Sequence, residues 1–138
     1  MEIMTIQELN KLRQIKRYIA ILQDEINSLR ALATKCTSCG DGMPSAKGLV
    51  DDKLQTIVAK ITDLEAELKE ERIKEIDTER CLVEYIRGID DLYIKNILMC
   101  RFVRGMTWNG VAMKVTGGMC TGENMIMTVK RFLESQGC

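Results

Sequence analysis

From Thr5 to Thr34 the apolar residues Leu12, Ile15, Ile19, Leu22, Ile26, Leu29 and Ala33 recur in alternating steps of three and four. That spacing lines one face of an α-helix and makes the seam of a coiled coil. Thr5 and Glu8 fit a capping box at its start, each side chain serving an amide of the first turn. The predicted helix is roughly 45 Å long at about 1.5 Å per residue. Its narrow apolar face calls for one partner along one side. Residues 35–50 break the pattern, because Gly40, Gly42, Pro44, Ser45 and Gly48 favour turns over helix, so a loop is predicted there.

A second long helix is predicted from Val50 or Asp51 to Arg87, with Leu54, Ile57, Ile61, Leu64 and Leu68 as its seam. The loop lets it fold back antiparallel on the first. After Leu68 the seam fails: Glu71, Glu75 and Thr78 stand where apolar residues should continue. The run KEERIKEIDTER, with Glu70 and Lys74 at i,i+4 spacing, reads as a solvated helix between two packed parts. Leu82, Tyr85, Ile86 and Ile89 then open a new apolar face turned toward the last third of the chain.

That last third carries three shorter periodic segments. A helix from about Asp91 to Val103 has Leu92, Ile94, Ile97, Leu98 and Phe102 as expected core, and Gly105 suits the left-handed residue that ends it. Thr107 is the expected N-cap of a helix from Trp108 to about Val115, with Val111, Ala112 and Val115 inward and Trp108 as a core anchor. Thr116–Cys120, holding Gly117 and Gly118, is the turn. Thr121 caps the last helix, about Gly122 to Leu133, with Glu123 in its first turn and Met125, Val129 and Phe132 or Leu133 as its buried stripe. The tail SQGC is expected to fray. The pattern thus predicts an all-α chain. A long antiparallel, coiled-coil-like hairpin spans 1–89 and serves dimerisation, and a helix-turn-helix unit spans 90–138.

Composition agrees with helix. Of 138 residues, 46% are hydrophobic, too many for wholesale disorder, and 4% aromatics with a single proline favour helices over sheet. Net charge is zero, but its distribution is uneven. Residues 51–89 hold 7 Lys/Arg and 11 Asp/Glu, whereas residues 90–138 hold 6 and 4, so the last third is the mildly basic end. No signal-peptide core or membrane-length apolar run is present, and six cysteines without histidine read as reduced thiols of a cytoplasmic chain. Cys36-x-x-Cys39 invites a zinc reading, but zinc takes four ligands and no second close pair or histidine supplies them, so no metal or cofactor is expected. Met99, Met113, Met125 and Met127 recur at helical spacing and read as core packing. With no histidine base, no phosphate-cradling glycine loop and no nucleophile signature, an enzyme is not expected.

At Arg101-Phe102, Gly105, Thr107, Val111-Ala112 and the TxxxMxxxV run from Thr121 to Val129, the chain resembles region four of bacterial sigma factors. The whole chain resembles small regulators of late transcription from phages and integrative elements of Gram-positive bacteria, of the ArpU and RinA kind. The helical N-terminus, Gly42-Met43-Pro44 opening onto a second long helix, and the closing RFVRGMTWNGVAMKVTGG…VKRFL carry that likeness. The resemblance implies a transcription regulator whose last helix meets promoter DNA, with RNA polymerase as a second candidate partner and a homodimer as the working form. On that reading Asn124 and Thr128 face base edges, and Arg104, Lys130 and Arg131 hold phosphates. Glu123 and Met127 share the outward face, and the backbone at Thr121 offers amides to a phosphate. The alternative is an adaptor whose coiled coil and last helices bind polymerase or another sigma factor without reading bases. The short basic content of Ile126–Thr128 motivates it.

Overall fold

The computed structural model describes the backbone of residues 4–38 and 47–136 and the side chains of 4–35 and 52–136. The chain is all-α: two long helices in contact as a hairpin, then three short packed helices. They are α1 (Ile6–Ser38), α2 (Lys47–Arg87), α3 (Leu92–Leu98), α4 (Trp108–Thr116) and α5 (Gly122–Gln136), with a π-helical turn, Met99–Val103, continuing α3. The capping box is formed: Thr5 N–H donates to Glu8 Oε2 at 3.0 Å and Glu8 N–H to Thr5 Oγ1 at 3.2 Å.

Both long helices run further than their sequence pattern suggests. Residues 35–38 continue α1, since no glycine or proline stands before Gly40, and α2 begins at Lys47 with Gly48 inside its first turn. Cys39 and Gly42-Met43-Pro44 lie outside the described residues, as do the side chain of Cys36 and the final Gly137-Cys138. Among the described residues no helix is long and apolar enough to cross a membrane.

Contacts divide the chain into two units, Arg17–Ile73 and the pair of segments Met1–Lys16 with Lys74–Cys138. The boundary in α2 falls inside the stretch where polar Glu71, Glu75 and Thr78 replace the apolar seam. Glu71, Glu75 and Thr78 are half-buried there, where the seam elsewhere holds apolar side chains.

The Arg17–Ile73 unit is a two-helix seam. Ile19, Leu22 and Ile26 of α1 and Ile57 and Leu68 of α2 are buried, with Leu29, Leu54, Ile61 and Leu64 half-buried along the same line. Outside it, Tyr18 OH donates to Glu67 and Arg30 pairs with Glu65. Both pairs are exposed and contribute little.

The other unit holds the main core. Leu9 and Leu12 from the start of α1, and Leu82, Tyr85, Ile86 and Ile89 at and just past the end of α2, are buried with Ile94, Ile97, Leu98, Phe102, Val111, Ala112, Met125 and Val129. Burying one such side chain stabilises by about 1.5–3 kcal/mol, so the six hairpin residues are a large share of what holds the C-terminal helices. Lys16 Nζ donates to Val103 O at 3.1 Å, placing a cation on the carbonyl end of the α3–π segment, where the helix dipole favours it. Tyr85 OH reaches Gln136 Oε1 at 3.4 Å, and α5 stays helical through Ser135 and Gln136 instead of fraying. Leu92 is the misplaced core residue: it is 68% exposed, because Asp91 caps α3 and turns the first helical position outward.

Leu12→Ala should cost about 2–5 kcal/mol, whereas Ile76→Ala, at a 65% exposed site, should stay within about 0.5 kcal/mol. Urea unfolding of both variants measures this. A fragment starting at Asp90 should lack cooperative unfolding, since it loses Leu9, Leu12, Leu82 and Ile86 from its core.

Candidate nucleic-acid interface

The segment from α3 to α5 is built on three local devices. The first is the π turn. Arg104 N–H bonds Met99 O at 3.0 Å, five residues back, and Met106 N–H bonds Cys100 O at 3.1 Å around Gly105, whose φ is +72°. Arg101 Nη1 donates to Met106 O at 2.9 Å and its guanidinium lies 4.5 Å from the Trp108 ring centre, a cation–π contact. Phe102 meets the same indole edge-on at 6.0 Å. Trp108 is therefore the expected core anchor, half-buried between an apolar ring and a cation.

The second is the turn between α4 and α5. Gly117 and Gly118 take φ of +70° and +96°, a region that costs other residues roughly 1–2 kcal/mol. Thr116 Oγ1 donates to Ala112 O at 2.6 Å and accepts from Cys120 N–H at 3.2 Å, so one hydroxyl ties the helix end to the far side of the turn.

The third is a backbone contact. A Cβ on Gly122 would stand 2.5 Å from Asn109 Oδ1, 3.0 Å from Asn109 N and 3.1 Å from the carbonyl carbon of Trp108. The first turns of α4 and α5 touch, with Thr107 Oγ1 capping one at Gly110 N–H (3.1 Å) and Thr121 Oγ1 capping the other at Asn124 N–H (3.4 Å). Sequence alone marks Gly122 only as a first helical residue; the need for a missing Cβ emerges from the crossing.

On α5, Met125 and Val129 are buried, Phe132 and Leu133 half-buried, and the opposite side is bare. Placed at about 100° per residue, Glu123, Asn124, Met127, Lys130 and Arg131 fall within an arc of roughly 120°, and all five are exposed. Thr128 borders that arc, half-buried, its hydroxyl donating to Asn124 O at 2.7 Å. Thr121 is exposed at the helix entrance. Arg104 is exposed too, but it lines a separate groove of about 290 Å³ with Asn96, Cys100, Lys114 and Val115, none of them on α5. Lys114 is the cation that sequence patterning leaves unremarked, since its neighbour Arg104 lies on a different element.

Two of the four methionines at helical spacing are not core: Met113 is 64% and Met127 52% exposed, while Met125 is buried and Met99 half-buried. Burial raises the Tyr93 phenol above its usual range, and the electrostatic effect of the nearby Cys120 sulfur adds to it. Among the described residues no group of His, Cys, Asp and Glu side chains could hold a metal ion. No family model, no curated protein and no solved structure matches the chain.

Gly122→Ala should destabilise by about 1–3 kcal/mol, because behind the Asn109 carboxamide stand two backbone atoms, Asn109 N and the Trp108 carbonyl carbon, that cannot yield cheaply. Gly105→Ala, with open space around it, should lose about 1–2 kcal/mol from backbone conformation alone. Denaturant midpoints, with α5 amide exchange as a local probe, separate the two.

Proposed function

We propose that the chain is a DNA-binding transcription regulator of phage or integrative-element origin, whose α4–turn–α5 segment docks on promoter DNA as a sigma region-four-like helix-turn-helix. The observation that carries this reading is the bare outer arc of α5. A capped helix projects Asn124, Met127, Lys130 and Arg131 outward while Met125 and Val129 anchor it. In this mechanism α5 enters the major groove. Asn124 pairs with an adenine edge, a geometry the carboxamide suits, and Met127 packs on a thymine methyl. Lys130, Arg131 and Arg104 neutralise phosphates and supply the salt-sensitive share of affinity. Glu123 and Thr128 flank the reading residues, and Thr121 presents the first-turn amides. RNA polymerase is the second partner in this reading.

The hairpin would hold two copies together. Ile21, Leu32 and Val58 support this, being 59%, 47% and 50% exposed on the Arg17–Ile73 unit. Ile21 and Leu32 stand eleven residues apart, hence on one face of α1. A dimer would present two reading heads to a two-half-site operator.

A second reading, a coiled-coil adaptor that binds polymerase or another sigma factor without reading bases, is favoured by Met113, Met127 and Met119, the last 90% exposed. Such flexible thioether surfaces suit protein partners.

Titration of labelled phage promoter duplex at several salt concentrations tests the first reading. Affinity should fall with salt, and Lys130→Ala with Arg131→Ala should flatten the log–log slope by about two. Salt-independent binding, or none at low salt, sinks DNA recognition, and partner capture that survives the double substitution then favours the adaptor. Light scattering should give a dimer at micromolar concentration; a monomer there removes the dimerisation role.

A further inference from the structure

The groove beside the π turn is lined by Asn96, Cys100, Arg104, Lys114 and Val115. Two of those five side chains are cations and none is acidic. Neither Arg104 nor Lys114 has a carboxylate partner among the described residues, and both are exposed at the rim. Cys100 is buried and Val115 half-buried, so part of the lining is apolar and shielded from water. A concavity lined by one sign of charge, with low-dielectric walls, concentrates the field and draws in the opposite ion.

We infer that this groove is a phosphate-binding cleft, with the Arg104 guanidinium and the Lys114 ammonium as its charged ligands and the Asn96 carboxamide as a neutral donor. This rests on the DNA-binding reading and deepens it. The cleft would take a phosphodiester of the duplex backbone, adding a positioning contact that owes nothing to α5. Its volume of about 290 Å³ leaves room for a phosphate group. Arginine offers a planar fork to phosphate oxygens and lysine a point charge, so the two complement one another. The local backbone fixes the arrangement. Arg104 is held by its N–H bond to Met99 O at the end of the π turn, and Asn96 by its carbonyl accepting from Met99 N–H one turn earlier. Lys114 comes from the last turn of α4, whose inner side is pinned by Val111 and Ala112.

The same chemistry could serve a soluble phosphate compound, and the test separates the two sources. The full-length chain and its Lys114→Ala, Lys114→Gln, Lys114→Arg, Arg104→Ala and Lys69→Ala variants are titrated with labelled duplex across a salt series. Lys69 is an exposed α2 lysine outside the cleft and controls for net charge. In parallel, backbone amide shifts of the unsubstituted chain are followed while inorganic phosphate is added.

Lys114→Ala, Lys114→Gln and Arg104→Ala should each weaken duplex binding several-fold, equally for all sequences, and flatten the log–log salt slope by about one. Lys114→Arg should retain binding, and Lys69→Ala should match the parent. Phosphate should shift the amides of Asn96, Arg104 and Lys114. If Lys114→Ala and Lys114→Gln match Lys69→Ala while the α5 double substitution still weakens binding, the cleft is overturned and DNA recognition stands. If the parent binds no duplex at low salt but phosphate shifts those three amides saturably, the DNA reading fails and the cleft belongs to a soluble phosphate compound. If phosphate moves none of them in that case, the cleft is overturned as well.

Discussion

Burial of Leu9, Leu12, Leu82 and Ile86 against Ile97, Leu98, Phe102, Val111, Met125 and Val129 is the constraint on which the C-terminal helices depend. Helices α3 and α4 have 7 and 9 residues, lengths that are unstable in isolation. They persist because the opening turns of α1 and the closing turns of α2 supply apolar surface that they cannot supply for one another. The chain ends of the hairpin are thus structural members of the unit that carries the candidate interface. A substitution at Leu12 reaches α5 through the core, without touching it in sequence.

Most of the architecture was legible because it rests on periodicity. Leu12, Ile15, Ile19, Leu22 and Ile26 repeat at three and four, and all but the half-buried Ile15 are buried where the repeat puts them. The polar interruption at Glu71, Glu75 and Thr78 likewise reads directly from the chain and coincides with the change from one unit to the next. Helix ends were less legible. The extension of α1 to Ser38 follows from the absence of a breaker, which is a weaker signal than the presence of a cap. Leu92 departs from the pattern because its position, one residue past a capping aspartate, overrides its apolar character.

The outer face of α5 was also readable, since Met125 and Val129 fix which side of an amphipathic helix remains bare. What could not be read were contacts between elements. The approach of Gly122 to Asn109 needs the crossing of two helices, and the neighbourhood of Arg104 and Lys114 needs the fold of three. Electrostatically the result is a division of labour within a chain of zero net charge. Acidic side chains crowd the middle of α2, and four of the six cations of the last third are set out on two separate surfaces, Lys130 and Arg131 on the outer arc of α5 and Arg104 and Lys114 in the groove.

The π turn at Met99–Val103 gives that recess its geometry. A ring closed over five residues accommodates one more residue than an ordinary helical ring before the chain reverses at Gly105. Each residue of helix turns the chain by about 100°. A chain one residue shorter here would swing the guanidinium a quarter-turn or so aside and separate two positive charges that now share an opening. The spacing of those charges is therefore a property of backbone winding, one that no exchange of side chains could restore.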